Sequence, residues 1–430
     1  MKNRNPKVID MNSHPNHVCP DGTASNQPTK WKWPPTDYDP QPVISRYLAA
    51  GGSLTPKGRD GIIAECEDAL CEQFDQPRAI LLSSGTAALH TAFFAIGLEP
   101  GDELICPTVT FHATATPALH LGAKVVLVDV DPETGCIDPL AAAAAVTSRT
   151  RAIVTNAQWG HPVDQDAIRK LCDRHHLAWV EDISHAHGAS WRGQQVGTWG
   201  DLACASLGAE KMLTGGMGGV LMGRRDDLMD RAVLFSHYLF RSKKDIRTPG
   251  FEDLGRTGYG LKLGVHPIAA VVILDQLKNH FDSWVGQRRD SLTRLRDGLS
   301  GLPGLVPPVI RPEVTSMGAW YGFKPWIDCE GLDIRRCDLV KALQAEGIEV
   351  DEPGSPSLHE LPIFDPTRFP VGPWPKAPLD PGQYPAATRY NAGTLSIPTL
   401  TGHLDESRLQ NTILAFQKMW NEIYTAALGE

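Results

Sequence analysis

The sequence predicts an α/β protein with a large domain built on a mostly parallel central sheet, followed by a smaller α+β domain. Between about residues 60 and 207, short apolar segments alternate with segments whose apolar residues recur at helical spacing. Such alternation is typical of parallel strands joined by helices that cover both faces of the sheet. Parallel sheets bind ligands at the carboxyl ends of their strands, and the reactive residues described below follow predicted strands.

Each predicted element rests on a local signal. Apolar residues run together in the predicted strands, which cover residues 79–82, 103–106, 124–128, 151–155, 178–181 and 203–207. Apolar residues recur at three or four positions in the predicted helices, which cover residues 60–73, 85–96, 110–121, 139–146 and 163–175. Ser84 can cap the second of these helices, and Gly97 ends it.

Changes in composition divide the chain into three parts. Residues 1–40 are rich in Asn, Pro, Lys, Asp and Thr and are expected to form a mobile arm. Residues 41–285 form the large domain, and residues 286–430 form the small C-terminal α+β domain. In the small domain we expect helices over residues 291–299, 337–346 and 404–424, strands within 315–327 and at 348–350, and an irregular proline-rich segment over 351–385.

Charge and cysteine content disfavour several classes of function. The 430 residues carry a formal net charge of −9 without a dense Lys/Arg stripe, which disfavours nucleic acid or an anionic membrane as partner. No apolar run is long enough for a membrane helix, and the first residues lack the apolar core of a signal peptide. The nine scattered cysteines include no Cys-x-x-Cys, so we expect reduced thiols in a cytoplasmic protein and no metal site.

The turn Ser83-Ser84-Gly85-Thr86 lies between a predicted strand and a predicted helix. A helix N-terminus offers free backbone N–H groups and the positive end of the helix dipole, which suit a phosphate. Gly85 allows close backbone approach, and Ser84 and Thr86 add hydroxyl donors. Taken alone, the turn is explained at least as well by a plain helix cap.

Asp182 directly follows the predicted strand over residues 178–181, which places its carboxylate at the ligand edge of the sheet. A carboxylate there could pair with a protonated pyridine nitrogen and keep that ring electron-withdrawing. His185 follows three residues later and could donate to a phenolate oxygen on the same ring. The alternative is a helix cap followed by ordinary surface histidines.

Lys211 follows the predicted strand over residues 203–207 and precedes a cluster of glycines. Small residues leave room for a flat ring, and a lysine beside such a ring can attack a carbonyl. Ser206 is placed to help hold a phosphate, and Phe111, after the strand over residues 103–106, could stack on the ring. The alternatives are an exposed loop lysine and a core phenylalanine.

In combination, these segments resemble the DegT–StrS family of aminotransferases, many of which act on keto groups of nucleotide sugars or cyclitols. The likeness extends from about residue 51 to residue 277. Besides the segments above, it includes Gly51-Gly52-Ser53-Leu54, Gly101-Asp102-Glu103-Leu104-Ile105, Asp129-Val130-Asp131, Gly160-His161-Pro162, Ala269-Ala270 and Gln276-Leu277. The resemblance implies the fold-type I architecture of aspartate aminotransferase, pyridoxal 5′-phosphate as cofactor, and a homodimer with both active sites at its interface.

The resemblance also implies a role for each of these residues. Lys211 would form the Schiff base with the cofactor and then carry the proton, and Asp182 would pair with the pyridine nitrogen. His185 matches a position near the ring oxygen, and Phe111 matches the ring-stacking aromatic residue. The phosphate-binding positions of the family are matched here by Gly85, Thr86 and Ser206.

Two segments depart from the family pattern. Where the family has Gly-x-Asn-x-Arg, with the Asn reaching the phosphate of the neighbouring subunit, this chain has Gly260 for the Asn and Lys262 for the Arg. We expect Lys262 or another group to complete that phosphate site. Met217 replaces the family's Glu in the glycine cluster. These departures change residues expected to bind the substrate and the phosphate, and they leave Lys211 and Asp182 as the family has them.

The predicted function is transfer of an amino group from glutamate or glutamine to a keto group of a sugar, nucleotide sugar or cyclitol. Five residues are candidates for the substrate side, each as readily explained by a structural role: His112, Trp159, His161, Arg256 and His359.

The alternatives are a pyridoxal-phosphate sugar dehydratase or other elimination enzyme, and a non-catalytic regulator that binds the cofactor. In the dehydratase relatives a histidine replaces the lysine, so Lys211 favours transfer. A Rossmann oxidoreductase is disfavoured because no Gly-x-Gly-x-x-Gly follows the first strand.

Overall fold

The computed structural model describes residues 38–208, 211–353, 355–365, 380–399 and 406–428. The strands are β1 (Arg78–Leu82), β2 (Glu103–Pro107), β3 (Lys124–Val128), β4 (Thr150–Asn156), β5 (Ala178–Asp182), β6 (Ala189–Trp191), β7 (Gln194–Gln195), β8 (Leu202–Ser206), β9 (Gly219–Gly223), β10 (Leu305–Val306), β11 (Val314–Met317) and β12 (Trp326–Ile327).

The helices are α1 (Gln41–Ala49), α2 (Gly61–Gln73), α3 (Gly85–Ala95), α4 (Thr116–His120), α5 (Pro139–Ala144), α6 (Gln165–His175), α7 (Asp226–Ser236), α8 (Phe240–Lys244), α9 (Pro267–Asn279), α10 (Phe281–Leu299), α11 (Arg336–Ala345), α12 (Pro385–Gly393) and α13 (Glu406–Leu428). Short 3-10 helices cover His112–Thr114, Gln158–Gly160, Glu252–Arg256, Leu358–Glu360, Pro362–Phe364 and Pro381–Gln383.

Seven strands form the central sheet in the order β1-β9-β8-β5-β4-β2-β3. The neighbours from β8 to β3 pair in parallel, and only β9 runs antiparallel to both of its neighbours. The predicted α/β class with a mostly parallel sheet is therefore confirmed. The sequence did not predict β9. The described part of the connection between β8 and β9 contains no helix that could make a parallel crossover, and β9 returns antiparallel.

The helices cover both faces of the sheet because alternate residues of each strand point to opposite sides. In β1, Ile80 and Leu82 pack in the core cluster that contains α3 and α7. Ala79 and Leu81 point the other way and pack in the cluster that contains α2 and α9. With both faces buried, the polar residues that could act on a ligand are left to the strand ends and the loops that follow them.

The expected helix over residues 110–121 is wrong in its extent. The chain instead forms the 3-10 helix His112–Thr114 and the short helix α4. Pro117 is the physical reason, because its ring excludes a continuous helix through the preceding turn. The break leaves Thr110 and Thr114 facing one another, with their hydroxyl oxygens 2.9 Å apart.

Beyond α9, a separate core cluster joins α10, α11 and α13 with β10 and β12. Helix α10 connects the two regions, since Phe281 and Trp284 pack under the large sheet while Leu292 and Leu295 belong to the second core. The expected boundary at residue 285 falls inside this helix, and the division into domains stays a prediction. The expected strand at 348–350 is absent, and only a single bridge, between Asp351 and Ser396, forms there. The expected arm lies almost wholly outside the described residues.

Glu67 secures the edge strand β1, whose outer backbone groups have no strand partner in the sheet. Its buried carboxylate accepts a hydrogen bond from the backbone N–H of Leu81 at 2.7 Å. The same carboxylate accepts two bonds from the guanidinium of Arg241, at 2.8 and 2.9 Å, and Arg241 is itself 3% exposed. The Glu67 carboxylate therefore gives a hydrogen-bond acceptor to the edge of the strand and an opposite charge to the buried arginine.

Replacing Glu67 by Ala should lower the free energy of unfolding by about 3 kcal/mol, because the buried Arg241 loses its bidentate partner and keeps a single ion pair, to Asp245 at 3.2 Å. Denaturant unfolding measures this change. The matched control is Glu65→Ala on the same helix, where the side chain is exposed and the loss should stay within about 0.5 kcal/mol. Equal losses for the two variants would contradict the role assigned to Glu67.

Candidate active site

A cavity of about 680 Å³ opens at the carboxyl ends of the sheet strands. Nine of the residues that the sequence singled out line it: Ser84, Gly85, Thr86, Phe111, Trp159, Asp182, His185, Ser206 and Lys211. These residues come from segments far apart in the chain, and the parallel strands bring them to one edge.

The first turn of α3 packs directly against the end of β8. Ser84 is extended and caps the helix, its hydroxyl oxygen accepting a hydrogen bond from the N–H of Ala87 at 3.0 Å. A Cβ atom on Gly85 would lie 2.8 Å from Cβ of Ser206, so only glycine fits there without displacement. The helix N-terminus and Ser206 therefore form one continuous surface, as a phosphate site requires.

Asp182 is the last residue of β5 and its carboxylate is held by two hydrogen bonds. Thr114 Oγ1 donates to one oxygen at 2.9 Å, and the backbone N–H of Ser184 donates to the other at 3.1 Å. Burial raises the pKa of the nearby Cys204 thiol well above its usual value, and the charge of Asp182 adds to that shift. The carboxylate is thus fixed in direction and places negative charge at the cavity wall.

Three aromatic rings of the cavity wall lie nearly parallel. The ring of His185 stacks on Tyr321 at 4.1 Å between centroids and 9° between planes, and on Trp159 at 5.3 Å and 12°. An ammonium lies over each of two rings: Nζ of Lys211 is 3.8 Å from the Tyr321 centroid, and Nζ of Lys324 is 4.3 Å from that of Trp159.

Burial lowers the pKa of His185 well below its usual value, and the positive charges of Lys211 and Lys324 lower it further. His185 is consequently a neutral imidazole at neutral pH, with one ring N–H to donate and one ring nitrogen to accept. Lys324 is also perturbed, since burial lowers its pKa to about 8. Its Nζ donates to Oγ of Ser396, which keeps the lysine against the back of Trp159.

Phe111 lies at the mouth of the cavity with 54% of its surface exposed. Met217, the residue that replaces the family's Glu, lies at the same mouth and is 67% exposed. Large apolar side chains at this exposure offer a face to a ligand or to another protein surface.

Two of the candidate residues are buried outside the cavity wall. His161 bonds through Nδ1 to the carbonyl of Pro162 at 2.6 Å, accepts at Nε2 from the backbone N–H of Arg311 at 3.2 Å, and has its pKa lowered to about 4 by burial. His359 bonds through Nδ1 to Thr108 Oγ1 at 2.7 Å and lines an adjoining groove. Both contacts are structural.

The other three, His112, Arg256 and Lys262, are exposed and do not line the cavity. His112 packs against Phe111 with 4.2 Å between ring centroids.

The wall also contains residues that sequence reasoning missed. Thr114 and Ser184 lie within the segments already singled out, and their hydroxyls could have been noticed there. Tyr321 lies in a distant loop and Asn391 in helix α12, neither with a strand-end signal, so only the fold brings them to the cavity. The missed polar and aromatic lining residues are Thr110, Thr114, Asn156, Gln158, Ser184, Tyr321, Ser355, Ser357, Tyr390, Asn391 and Thr394.

Pyridoxal phosphate fits this set of groups. Lys211 offers an amine for an aldehyde, Asp182 offers a fixed carboxylate for a ring nitrogen, and the α3 N-terminus with Ser206 offers a phosphate site. Among the described residues, no group of three His, Cys, Asp or Glu is placed to bind a metal ion. Within the same ranges, no helix is long and apolar enough to span a membrane.

Comparisons with known proteins agree with the site. A model of the DegT/DnrJ/EryC1/StrS aminotransferase family matches residues 49–415. The chain is 32% identical over 409 residues to the L-glutamine:scyllo-inosose aminotransferase of Streptomyces griseus, which covers 91% of this chain and 94% of that protein. It is 32% identical over 336 residues to the dTDP-3-amino-3,4,6-trideoxy-alpha-D-glucose transaminase of Streptomyces venezuelae, covering 78% and 83% respectively.

The fold agrees as well. The X-ray structure of S. venezuelae DesV in complex with a ketimine intermediate superposes with a TM-score of 0.74 at 28% identity, over 89% of this chain and 94% of that one. The expected membership of the family is thereby confirmed. This chain belongs to the DegT/DnrJ/EryC1/StrS aminotransferase family and is an aminotransferase.

Proposed function

We propose that this aminotransferase uses pyridoxal phosphate on Lys211 to move an amino group from glutamate or glutamine to a keto group of a sugar, nucleotide sugar or cyclitol. The observation that carries the proposal is that Lys211, Asp182 and the N-terminus of α3 line one cavity. When bound, the cofactor supplies an electron sink that stabilises negative charge on the substrate carbon.

Asp182 would hold the proton on the pyridine nitrogen of the cofactor. Its two hydrogen bonds, from Thr114 and Ser184, fix the carboxylate in advance, so binding would need little reorganisation. The N–H groups at the start of α3 and the hydroxyls of Thr86 and Ser206 would bind the phosphate. These contacts would keep the cofactor in one place throughout the reaction.

Lys211 would hold the cofactor through its amine and would also serve as the proton carrier during transfer. Its amine would accept the proton from the α-carbon of the amino donor and give it up again within the same half-reaction. Neutral His185 would donate its ring N–H to the cofactor, and Phe111 would pack against it. On the keto acceptor the same residues would act in the reverse order.

The comparisons support the choice of donor and acceptor. The S. griseus relative is named for L-glutamine and scyllo-inosose, and the S. venezuelae relative is a transaminase named for a dTDP-linked amino sugar. In this chain, hydroxyl and amide groups of Ser357, Asn391 and Thr394 line the cavity and are suited to the hydroxyls of a polyol. A lysine at position 211 favours transfer over elimination.

A homodimer would complete the site. Phe111 and Met217 expose apolar surface at the cavity mouth, and Tyr259 exposes 63% of its surface near Lys262 in the chain. In such a dimer, exposed Lys262 would reach the phosphate in the neighbouring cavity, in place of the Asn that the family carries. Light scattering tests the oligomeric state directly.

Lys211→Ala should abolish transfer, because the amine both holds the cofactor and carries the proton. The measurement is the absorbance of the bound cofactor, which should shift when glutamate or glutamine is added to the wild type and recover with a keto acceptor. The exposed Lys341→Ala variant on α11 is the matched control and should behave as the wild type. A Lys211→Ala protein that cycles normally would contradict the assignment.

Asp182→Asn should lower kcat roughly 100- to 1000-fold, because the amide keeps the shape but no longer favours the protonated ring nitrogen. Rates of the half-reaction with glutamate measure the loss. Asp173→Asn, an exposed position on α6, serves as the control. A rate for Asp182→Asn within a factor of two of the wild type would show that the carboxylate does not touch the ring nitrogen.

Lys262→Ala should weaken binding of pyridoxal phosphate roughly 10-fold while the protein stays dimeric, because one charge-assisted contact to the phosphate is lost. Equilibrium binding of the cofactor measures the effect, with Lys341→Ala again as control. Unchanged affinity in a dimeric Lys262→Ala protein would exclude this lysine from the phosphate site.

A further inference from the structure

The ring of Tyr321 contacts the amine of Lys211, and this contact has no role in the proposed reaction. Tyr321 lies in the loop between β11 and β12, and its ring forms part of the cavity wall. Nζ of Lys211 lies 3.8 Å from the centroid of that ring. A lysine ammonium at this distance from an aromatic face is within the range of a strong cation–π contact.

The position of Tyr321 is fixed by buried contacts of its loop. The backbone N–H of Ala319 donates to the carbonyl of His187 at 2.7 Å, which ties this loop to the segment after β5. Arg288, 1% exposed, donates from Nη1 to the carbonyl of Ala319 at 2.9 Å. The ring of His185 also stacks on the ring of Tyr321. The tyrosine face is therefore presented to Lys211 by the fold.

We propose that Tyr321 is a positioning residue whose ring face holds the ammonium of Lys211 whenever that amine is not bonded to the cofactor. The proposal rests on the proposed role of Lys211. During each half-reaction the amine is released and must keep a proton close to the cofactor until it is returned. An aromatic face attracts the ammonium without forming a bond that would have to break, so the amine stays near and stays mobile.

Other charged or titratable groups surround Lys211, and they are the same in every variant compared below. His185 and His187 interact with its charge, and burial lowers the pKa of both, that of His187 to about 3. Lys324 lies beyond Trp159, and Asp182 lines the same cavity. Arg288 lies behind Tyr321. Differences between variants at position 321 therefore report the ring itself.

The test uses the full-length protein loaded with pyridoxamine phosphate, in which the Lys211 amine is free. Acetylation of Lys211 is followed by mass spectrometry across a range of pH. The midpoint of the profile reports protonation of the amine, and the plateau rate reports access of the reagent. Tyr321→Leu and Tyr321→Met should lower the midpoint by roughly 0.5–1 pH unit, whereas Tyr321→Phe, which keeps the ring face, should leave it within about 0.3 unit.

The direction in which the midpoint of the acetylation profile shifts tests the proposal. Removing a face that stabilises the ammonium favours the neutral amine, so labelling must begin at lower pH. A midpoint for Tyr321→Leu or Tyr321→Met that is unchanged or raised overturns the proposal. Should both variants fail to fold, fluorinated phenylalanines at position 321 keep the ring shape while weakening its negative face, and the same stepwise fall in midpoint is required.

One further measurement separates this proposal from the proposed function. Borohydride reduction of the wild-type enzyme in its pyridoxal form fixes the cofactor to the lysine that carries it. If the cofactor is found on another lysine, the proposed function fails. If it is on Lys211 and the midpoint does not respond to the ring, only the role of Tyr321 fails.

Discussion

The site depends on the close packing of three backbone segments at one end of the sheet. A Cβ atom on Gly219, at the start of β9, would lie 2.2 Å from the carbonyl oxygen of Ser84, and one on Gly85 would lie 2.8 Å from Cβ of Ser206. No side chain fits at either contact without a shift of backbone. The absence of these two side chains lets the ends of β1 and β8 meet the start of β9, which places the α3 N-terminus, Ser206 and the Lys211 loop around one cavity.

The central sheet and the first site residues could be predicted because their signals are local. Apolar runs marked the strands, and the bounds of β3 were predicted to the residue. Asp182, Ser206 and Lys211 could be located because each follows or ends such a run. The helix over residues 110–121 failed because Pro117 outweighs the apolar spacing. The strand β9 was missed because its short apolar run begins and ends at glycines and directly follows the glycine cluster after Lys211.

The other residues that line the cavity could not be predicted, because they come from segments distant in sequence that meet only in the folded chain. Tyr321 follows no predicted strand, and its contact with Lys211 depends on the buried Arg288 and on backbone bonds to the segment after β5. The neutral state of His185 likewise depends on burial and on two lysines distant in sequence, and no spacing along the chain encodes it.

A crystal structure with pyridoxal phosphate tests the central claim most directly. The account predicts continuous density from Nζ of Lys211 to the cofactor, the ring nitrogen within hydrogen-bond distance of the Asp182 carboxylate, and the phosphate against the first turn of α3. A cofactor bonded to another lysine, or one whose ring nitrogen faces away from Asp182, would contradict it.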